Sequence, residues 1–168
     1  MSDMIRLVYA SRTTATVKPG IMDPAMGRIL LQSRRNNHKT DVGGVLFFGD
    51  GFFFQCLEGE RQAVESLYAK IRQDTRHSDA RILLQQAIYE SWFTNWSMKF
   101  VPAEDSVRAF LQRHGFESFT PFQFNESLVN ELVSLFHQIQ NSEDCHTEST
   151  TAEARKSGFL SRLLHGAH

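Results

Sequence analysis

Two polar side chains in otherwise apolar, β-prone runs are the sequence's main candidates for chemistry. Tyr9 falls in the first apolar run of the chain, and Gln55 falls in Phe52–Leu57. Because side chains alternate between the two faces of a strand, Gln55 shares a face with Phe53 and Leu57, and we expect that face to be buried. A buried amide without a partner costs about 1–3 kcal/mol. Gln55 therefore needs a hydrogen-bond partner, either a neighbouring backbone group or Tyr9.

Other patterns that support catalysis are missing from the sequence. We find no Gly-rich phosphate loop, no paired ligand histidines and no nucleophile elbow. Cys56 and Cys145 are the only cysteines, so the sequence contains neither a disulfide framework nor a zinc ligand set. Cys56 has no neighbouring base in the sequence and is interpreted as a small buried apolar residue rather than as a thiolate nucleophile.

The composition favours one compact globular domain with an appendage. The chain has 168 residues, of which 41% are hydrophobic and 22% are charged. A net charge of -1 argues against direct nucleic-acid binding, and the Arg34–Arg35 pair is explained equally well by a solvated helix end. No signal peptide or membrane-spanning run is found, so we expect a cytoplasmic protein that does not contact a membrane.

The order of predicted elements resembles a ferredoxin-like sheet with both helices on one face. The clearest element is a hairpin at Gly49-Asp50-Gly51, because an Asp-Gly pair between two β-prone runs favours a tight turn. The expected fold class is α+β, with a five-stranded mixed sheet. Strands are predicted at Ile5–Ala10, Val45–Phe48, Phe52–Leu57, Ile82–Tyr89 and Trp96–Val101, and helices from Asp23 to about Asn37 and at Glu60–Asp74.

The C-terminal part of the chain is predicted to form helices that cover the other face of the sheet. Asp105 is expected to cap a short helix that stops near Gly115. A further helix, Asn125–Gln140, has six apolar positions at helical spacing. From Asn141 the chain becomes polar, which favours a flexible tail with a short amphipathic segment at its end. The predicted divisions are residues 1–102, 103–140 and 141–168.

Four segments, taken together, resemble the BLUF family of blue-light sensors that use FAD. They are Leu7–Ser11, Arg35–Asn37, Phe53–Gly59 and Asn95–Met98. The resemblance extends from Arg6 to about Pro102, and the segments follow the family's order. It is strongest to the short BLUF proteins, which have one sensor domain and a brief helical extension.

The resemblance implies a flavin, FAD, held non-covalently between the two predicted helices. Asn37 would fix the flavin carbonyl edge, Gln55 would bridge the flavin and Tyr9, and Tyr9 would be the photochemical electron donor. Trp96 and Met98 would lie on the strand that relays the change, and Met98 would also contact the cofactor. The remaining implied contacts to the ring, the ribityl chain or the phosphates are Ile29, Asn36, Lys70, Arg76 and His77.

Taken singly, most of these residues also have an ordinary structural explanation. Trp96 and Met98 could be core residues. Asn36 and Asn37 could end a helix, and Arg76 and His77 could lie in a solvated turn. Their joint occurrence favours the functional interpretation.

The expected output is a contact with a separate protein, such as a transcriptional regulator or another signalling protein. The chain is too short to hold an effector domain as well, and self-association into a homo-oligomer is compatible with the sequence. We expect the signal to run through the last strand into the region Val107–Ile139. Two alternatives remain open: a ferredoxin-like hydrolase of the acylphosphatase type that uses Asn37, and a flavin-free interaction module. The first lacks a glycine-rich phosphate loop at Ser11–Gly20.

Overall fold

A mixed five-stranded sheet forms the centre of the protein. The computed structural model describes residues 3–14, 27–28, 31, 35, 40–93, 99–101 and 103–142. The strands are β1 (Met4–Thr13), β2 (Gly43–Gly49), β3 (Phe52–Glu60), β4 (His77–Ala87) and β5 (Lys99–Phe100), in the order β4-β1-β3-β2-β5. The four long strands pair antiparallel, and the short β5 pairs parallel to β2. This confirms the predicted ferredoxin-like α+β class.

The hairpin between β2 and β3 has the turn that its sequence predicts. Gly49 is paired with Phe52, so only Asp50 and Gly51 lie between the strands. Their φ angles are 48° and 80°, and positive values at both central positions are typical of a type I′ turn. The Asp50 carboxylate also accepts a hydrogen bond of 2.7 Å from the backbone N–H of Phe119. The turn is thereby attached to the C-terminal part of the chain.

Helical backbone occurs in both segments where the first two helices are predicted. One helix spans Arg61–Ile71 and buries Val64 and Tyr68. Positions 27, 28, 31 and 35 are helical and fall within the other predicted helix, whose proposed start at Asp23 lies outside the described residues. Thr40 is also helical, although the sequence predicted an end near Asn37.

The C-terminal elements are a helix at Glu104–Arg113, a short 3-10 helix at Pro121–Gln123 and a helix at 126–142. The prediction that Asp105 caps the first of these is wrong. The backbone N–H of Val107 already donates to the carbonyl of Ala103, which makes Ala103 the cap and places Asp105 in the first turn. Gly115 follows the helix with a φ of 77°, as a glycine stop requires.

The last helix begins where predicted and ends later. The Asn125 side chain accepts a hydrogen bond of 2.9 Å from the N–H of Leu128, which is the geometry of an N-cap. Asn141 and Ser142 were assigned to the tail, but both are helical. The Ser142 hydroxyl donates to the carbonyl of Gln138, four residues earlier, at 3.0 Å. The rest of the predicted tail lies outside the described residues.

The sheet separates two hydrophobic cores, as predicted. One core joins the sheet to the helix Arg61–Ile71, and its buried members are Ile5, Leu7, Tyr9, Val42, Leu46, Phe53, Leu57, Val64 and Tyr68. The other joins the opposite face to the C-terminal helices and includes Val8, Val45, Phe47, Phe54, Cys56, Leu132 and Phe136. We call the sheet face that packs against the helix Arg61–Ile71 the helix-α face, and the face that packs against the C-terminal helices the C-terminal face.

β4 begins five residues earlier than the prediction of Ile82. Its first residues are polar and exposed or half-buried, so their sequence has no apolar alternation. They form a strand because β1 extends to Thr13, which is paired with His77. Backbone pairing with a neighbouring strand here outweighs side-chain pattern. His77 is consequently a strand residue, and Arg76 lies in the turn before it.

Candidate functional site

Tyr9 and Gln55 lie directly opposite each other on neighbouring strands. They are register partners in the antiparallel pair of β1 and β3. Both are buried in the helix-α face, with 1% and 3% of their surfaces exposed. The Tyr9 hydroxyl donates a hydrogen bond to Oε1 of Gln55. This bond supplies the partner that burial of Gln55 demands.

The surroundings of Tyr9 favour the neutral phenol. Its ring packs against that of Tyr68, with centroids 5.2 Å apart and an interplanar angle of 52°. Burial raises the pKa of Tyr9 far above its ordinary value, and the nearby Tyr68 and Asp74 raise it further. Tyr9 therefore keeps its proton over the whole physiological range and can give that proton up only together with an electron or to a very strong base.

His77 is connected to the same region through Ser11, which is two residues after Tyr9 on β1. The Ser11 hydroxyl and Nδ1 of His77 are 2.9 Å apart. The imidazole also packs against Phe53, with ring centroids 4.6 Å apart. Burial lowers the pKa of His77, so the ring is predominantly neutral at pH 7.

Ser11 was not predicted as part of the site. Alternation from Tyr9 places it on the same face, but the sequence contains no sign that it faces His77, because the contact depends on the pairing of β1 with β4.

Two cationic side chains lie near the end of the helix Arg61–Ile71. Lys70 is exposed in its last turn. Arg76 donates through Nε to both oxygens of Asp74, at 2.9 and 3.0 Å. These hydrogen bonds lower the pKa of Asp74 to about 2. Backbone hydrogen bonds from Gln73 to Lys70 and from His77 to Asp74 keep the connection compact. Lys70 in the last turn of the helix, Arg76 in the following turn and His77 at the start of β4 thus lie within eight consecutive positions.

The other predicted site residues cannot be compared with the structure. Ile29, Asn36, Asn37, Trp96 and Met98 lie outside the described residues. Their contacts with a cofactor remain predictions. Among the predicted residues that are described, Tyr9 and Gln55 are in contact, and His77 reaches the same face through Ser11 and Phe53.

Cys56 lies on the opposite side of the sheet, in the core of the C-terminal face. Its side chain is fully buried, which confirms the interpretation as a small buried core residue, and burial raises the pKa of its thiol well above the ordinary value. In the part of the chain that the structure describes, no group of three His, Cys, Asp or Glu side chains is placed to hold a metal ion. None of the described helices is long and apolar enough to cross a membrane.

A second buried polar cluster was missed. Arg6 and Glu58 form an ion pair of 2.6 Å, and their side chains are 4% and 0% exposed. Glu58 also accepts hydrogen bonds from Ser91 and Trp92. Two charged residues within buried strands could have indicated such a pair, but Ser91 and Trp92 are more than thirty positions from Glu58 and carry no sequence signal for this contact.

Comparisons with known proteins identify curated relatives that match part of the chain. A subunit beta of photoactivated adenylate cyclase from Euglena gracilis is 37% identical over 73 residues, which are 41% of this chain and 8% of that protein. The blue light- and temperature-regulated antirepressor BluF of Escherichia coli K12 is 44% identical over 45 residues, 27% of this chain and 11% of that one. The chain thus spans only about a tenth of these curated relatives.

Structural similarity extends further. The solved structure of BlsA in its photo-activated state superposes with a TM-score of 0.73 and 33% sequence identity, covering 80% of this chain and 94% of that chain. The family model for BLUF, sensors of blue-light using FAD, matches residues 4–99, more than half of the chain. The chain belongs to the BLUF family.

Proposed function

We propose that this protein is a blue-light photoreceptor in which Tyr9 and Gln55 respond to a non-covalently bound FAD and a separate protein receives the signal. FAD is the cofactor by which the family is defined. The observation that carries the proposal is the buried hydrogen bond from Tyr9 to Gln55, because it places a redox-capable phenol and a rearrangeable amide side by side. The remaining residues are assigned from their fit to the cofactor.

The described residues fit a flavin on chemical grounds. An isoalloxazine ring has apolar faces and a polar edge. The helix-α face offers apolar and aromatic side chains such as Phe53 around one polar pair, Tyr9 and Gln55. Lys70 in the last turn of the neighbouring helix carries a positive charge that suits the phosphates of FAD, and Arg76 in the following turn adds a second cation, which is paired with Asp74. We further propose that Asn37, Asn36 and Ile29 hold the ring from the first predicted helix, and that His77 and Met98 complete its surroundings.

The chain's own chemistry is a reversible transfer from Tyr9. When bound and excited by blue light, FAD would supply the acceptor for both an electron and a proton. Tyr9 then loses an electron and its hydroxyl proton together, since burial disfavours a charge left on the phenol. Oε1 of Gln55 thereby loses the hydrogen bond that it accepts from the Tyr9 hydroxyl in the dark, and the Gln55 amide rearranges. Electron and proton return to Tyr9, and a changed pattern of hydrogen bonds at Gln55 remains.

The energy in this rearrangement is small. One neutral hydrogen bond changes a free energy by about 0.5–1.5 kcal/mol, which shifts a two-state equilibrium roughly two- to twelve-fold. A larger response requires repacking of apolar side chains. We therefore propose that the signal proceeds to Trp96 and Met98 and from there to the C-terminal helices.

The register of the sheet supports this route. Leu46 on β2 is paired with Gln55 on one side and with Phe100 on the other. A displacement at Gln55 thus reaches β5 through a single intervening residue. The C-terminal face of the same strands packs against the helix 126–142, so the neighbouring helices can respond to a shift of the sheet.

We propose residues 1–102 as the sensor domain, 103–142 as a helical extension and the residues after 142 as a tail. The match over 94% of the BlsA chain supports a sensor without a catalytic activity of its own. The Escherichia coli relative is described as an antirepressor, which favours a transcriptional regulator as the partner. We place the protein in the cytoplasm, acting without direct contact with nucleic acid or membrane, and able to form homo-oligomers.

Reconstitution with FAD tests the function directly. The purified protein mixed with FAD and passed over a desalting column should retain the yellow cofactor. Blue light should shift its absorption bands to longer wavelength, and the shift should decay in darkness. A protein that stays colourless with FAD in excess is a flavin-free module, and this result would end the proposal.

A further inference from the structure

The buried ion pair of Arg6 and Glu58 lies on the sheet face opposite Tyr9 and Gln55. Arg6 and Glu58 are register partners, three residues from Tyr9 and Gln55 along the same two strands. An odd spacing along a strand places them on the C-terminal face. The two pairs are therefore close in sequence but separated by the thickness of the sheet.

Both carboxylate oxygens of Glu58 are used. Oε1 accepts from Nε of Arg6 at 2.6 Å. Oε2 accepts from the Ser91 hydroxyl at 2.6 Å, from the N–H of Trp92 at 2.7 Å and from the N–H of Phe93 at 3.3 Å. One buried side chain on β3 thus fixes three consecutive residues that belong to no strand or helix.

The segment Ser91–Phe93 in turn contacts the last helix. The indole of Trp92 stacks on His137, with ring centroids 5.0 Å apart and planes 14° from parallel. Phe93 meets the same imidazole edge-on at 5.8 Å. The Arg6 guanidinium lies 3.8 Å from the centre of the Trp92 ring. A continuous set of contacts therefore leads from Glu58 through Trp92 to the helix 126–142.

We infer that Glu58 is a positioning residue that couples the photoactive strand β3 to the last helix by holding Ser91–Phe93 against His137. The inference rests on the proposed photoreceptor function. A movement of β3 at Gln55 displaces Glu58, three residues further along the same strand. Because the Glu58 carboxylate binds the backbone N–H groups of Trp92 and Phe93, the segment follows it, and the Trp92 ring changes its contact with the helix.

Hydrogen exchange in darkness and in blue light separates this role from a purely structural one. In the FAD-loaded wild-type protein, we expect light to change the exchange of backbone amides in 126–142. Glu58→Leu removes both acceptor oxygens and should retain the red shift of the flavin while losing the light-dependent change in that helix. Asp3→Leu is the matched control, because Asp3 also pairs with an arginine, Arg61, at 2.7 Å but is exposed. It should leave the light-dependent change unaltered.

Trp92→Leu keeps the inference testable if Glu58→Leu does not fold. Trp92 is 38% exposed, and its replacement leaves the ion pair in place. It too should retain the red shift and lose the light-dependent exchange in 126–142. If either folded variant shows a light-dependent exchange in 126–142 as large as that of the wild-type protein, the coupling is overturned. The coupling is also overturned if the wild-type protein shows the red shift but no light-dependent exchange in that helix. A wild-type protein without a red shift would instead refute the proposed function.

Discussion

The Tyr9 hydroxyl donates to Oε1 of Gln55 across the antiparallel pair of β1 and β3, and the two residues are direct register partners. Neither side chain is appreciably exposed. The contact needs no loop or domain movement to form, since the sheet itself fixes both backbones. A change in either group is therefore transmitted to the other directly.

Removal of the acceptor should destabilise the protein. Gln55→Leu leaves the buried Tyr9 hydroxyl without the acceptor Oε1, at a cost of about 1–3 kcal/mol in the free energy of unfolding. Urea unfolding in darkness measures the difference. The matched control is Gln85→Leu, because the Gln85 amide is exposed and bonds Glu65 at 3.0 Å. It should change the free energy by less than about 0.5 kcal/mol. Equal effects of the two substitutions would contradict the importance of the buried pair.

The last helix should be part of the same cooperative unit as the sheet. Phe136 is fully buried, and its ring centroid lies 5.5 Å from that of Phe47 on β2. Phe136→Ala should lower the free energy of unfolding by about 3–5 kcal/mol. Calorimetry should still show a single transition, at a lower temperature. Gln138→Ala, at an exposed position of the same helix, is the control and should be nearly neutral. A normal sheet transition in Phe136→Ala would show that the helix is not needed for the stability of the sheet.

Acid should destabilise the protein through His77. Burial lowers the pKa of His77 below its usual 6.5, so the unfolded chain binds a proton more readily than the folded one. This contribution to stability is complete above about pH 6.5 and is lost as the pH falls through 6.5 towards the lower folded pKa. Urea unfolding at pH 7.5, 6.5 and 5.5 should show a steeper decline in wild type than in His77→Phe. Parallel declines would show that His77 does not carry the effect.

Lys70 should distinguish FAD from flavins that lack its phosphates. If its ammonium contacts a phosphate, Lys70→Gln loses a charge-assisted hydrogen bond and should weaken FAD binding by roughly tenfold or more. Riboflavin binding, measured by the same fluorescence titration, should stay the same. Arg81→Gln, an exposed arginine paired with Asp79, controls for the change in net charge. Equal weakening of both flavins would place Lys70 away from the phosphates.

Local signals in the sequence were sufficient for some elements. Asp50-Gly51 specifies its turn through its own backbone preferences, and the alternation around Gln55 correctly indicated a buried amide that needs a partner. The first residues of β4 were missed because these polar residues are held by pairing with β1 and not by their own pattern. The cap at Ala103 was missed because it uses no side chain, only the position of the backbone.

Contacts between distant segments were the part that the sequence could not supply. Strand alternation named Tyr9 as one of two kinds of partner for Gln55, but the choice depends on the register of β1 against β3. Glu58 is a stronger example, since its partners come from β1 and from a segment without regular structure. Charges inside apolar runs could have indicated that partners exist, but not which ones.

We propose that Tyr9 is the group whose electron and proton drive the change at Gln55. The most direct measurement is the light-minus-dark absorption spectrum of the FAD-loaded protein, recorded for wild type, Tyr9→Phe and Tyr68→Phe. Tyr68 contacts the Tyr9 ring and is the matched control for loss of a phenol hydroxyl. We predict a reversible red shift in wild type and in Tyr68→Phe, and none in Tyr9→Phe. A red shift of wild-type size in Tyr9→Phe would contradict the claim.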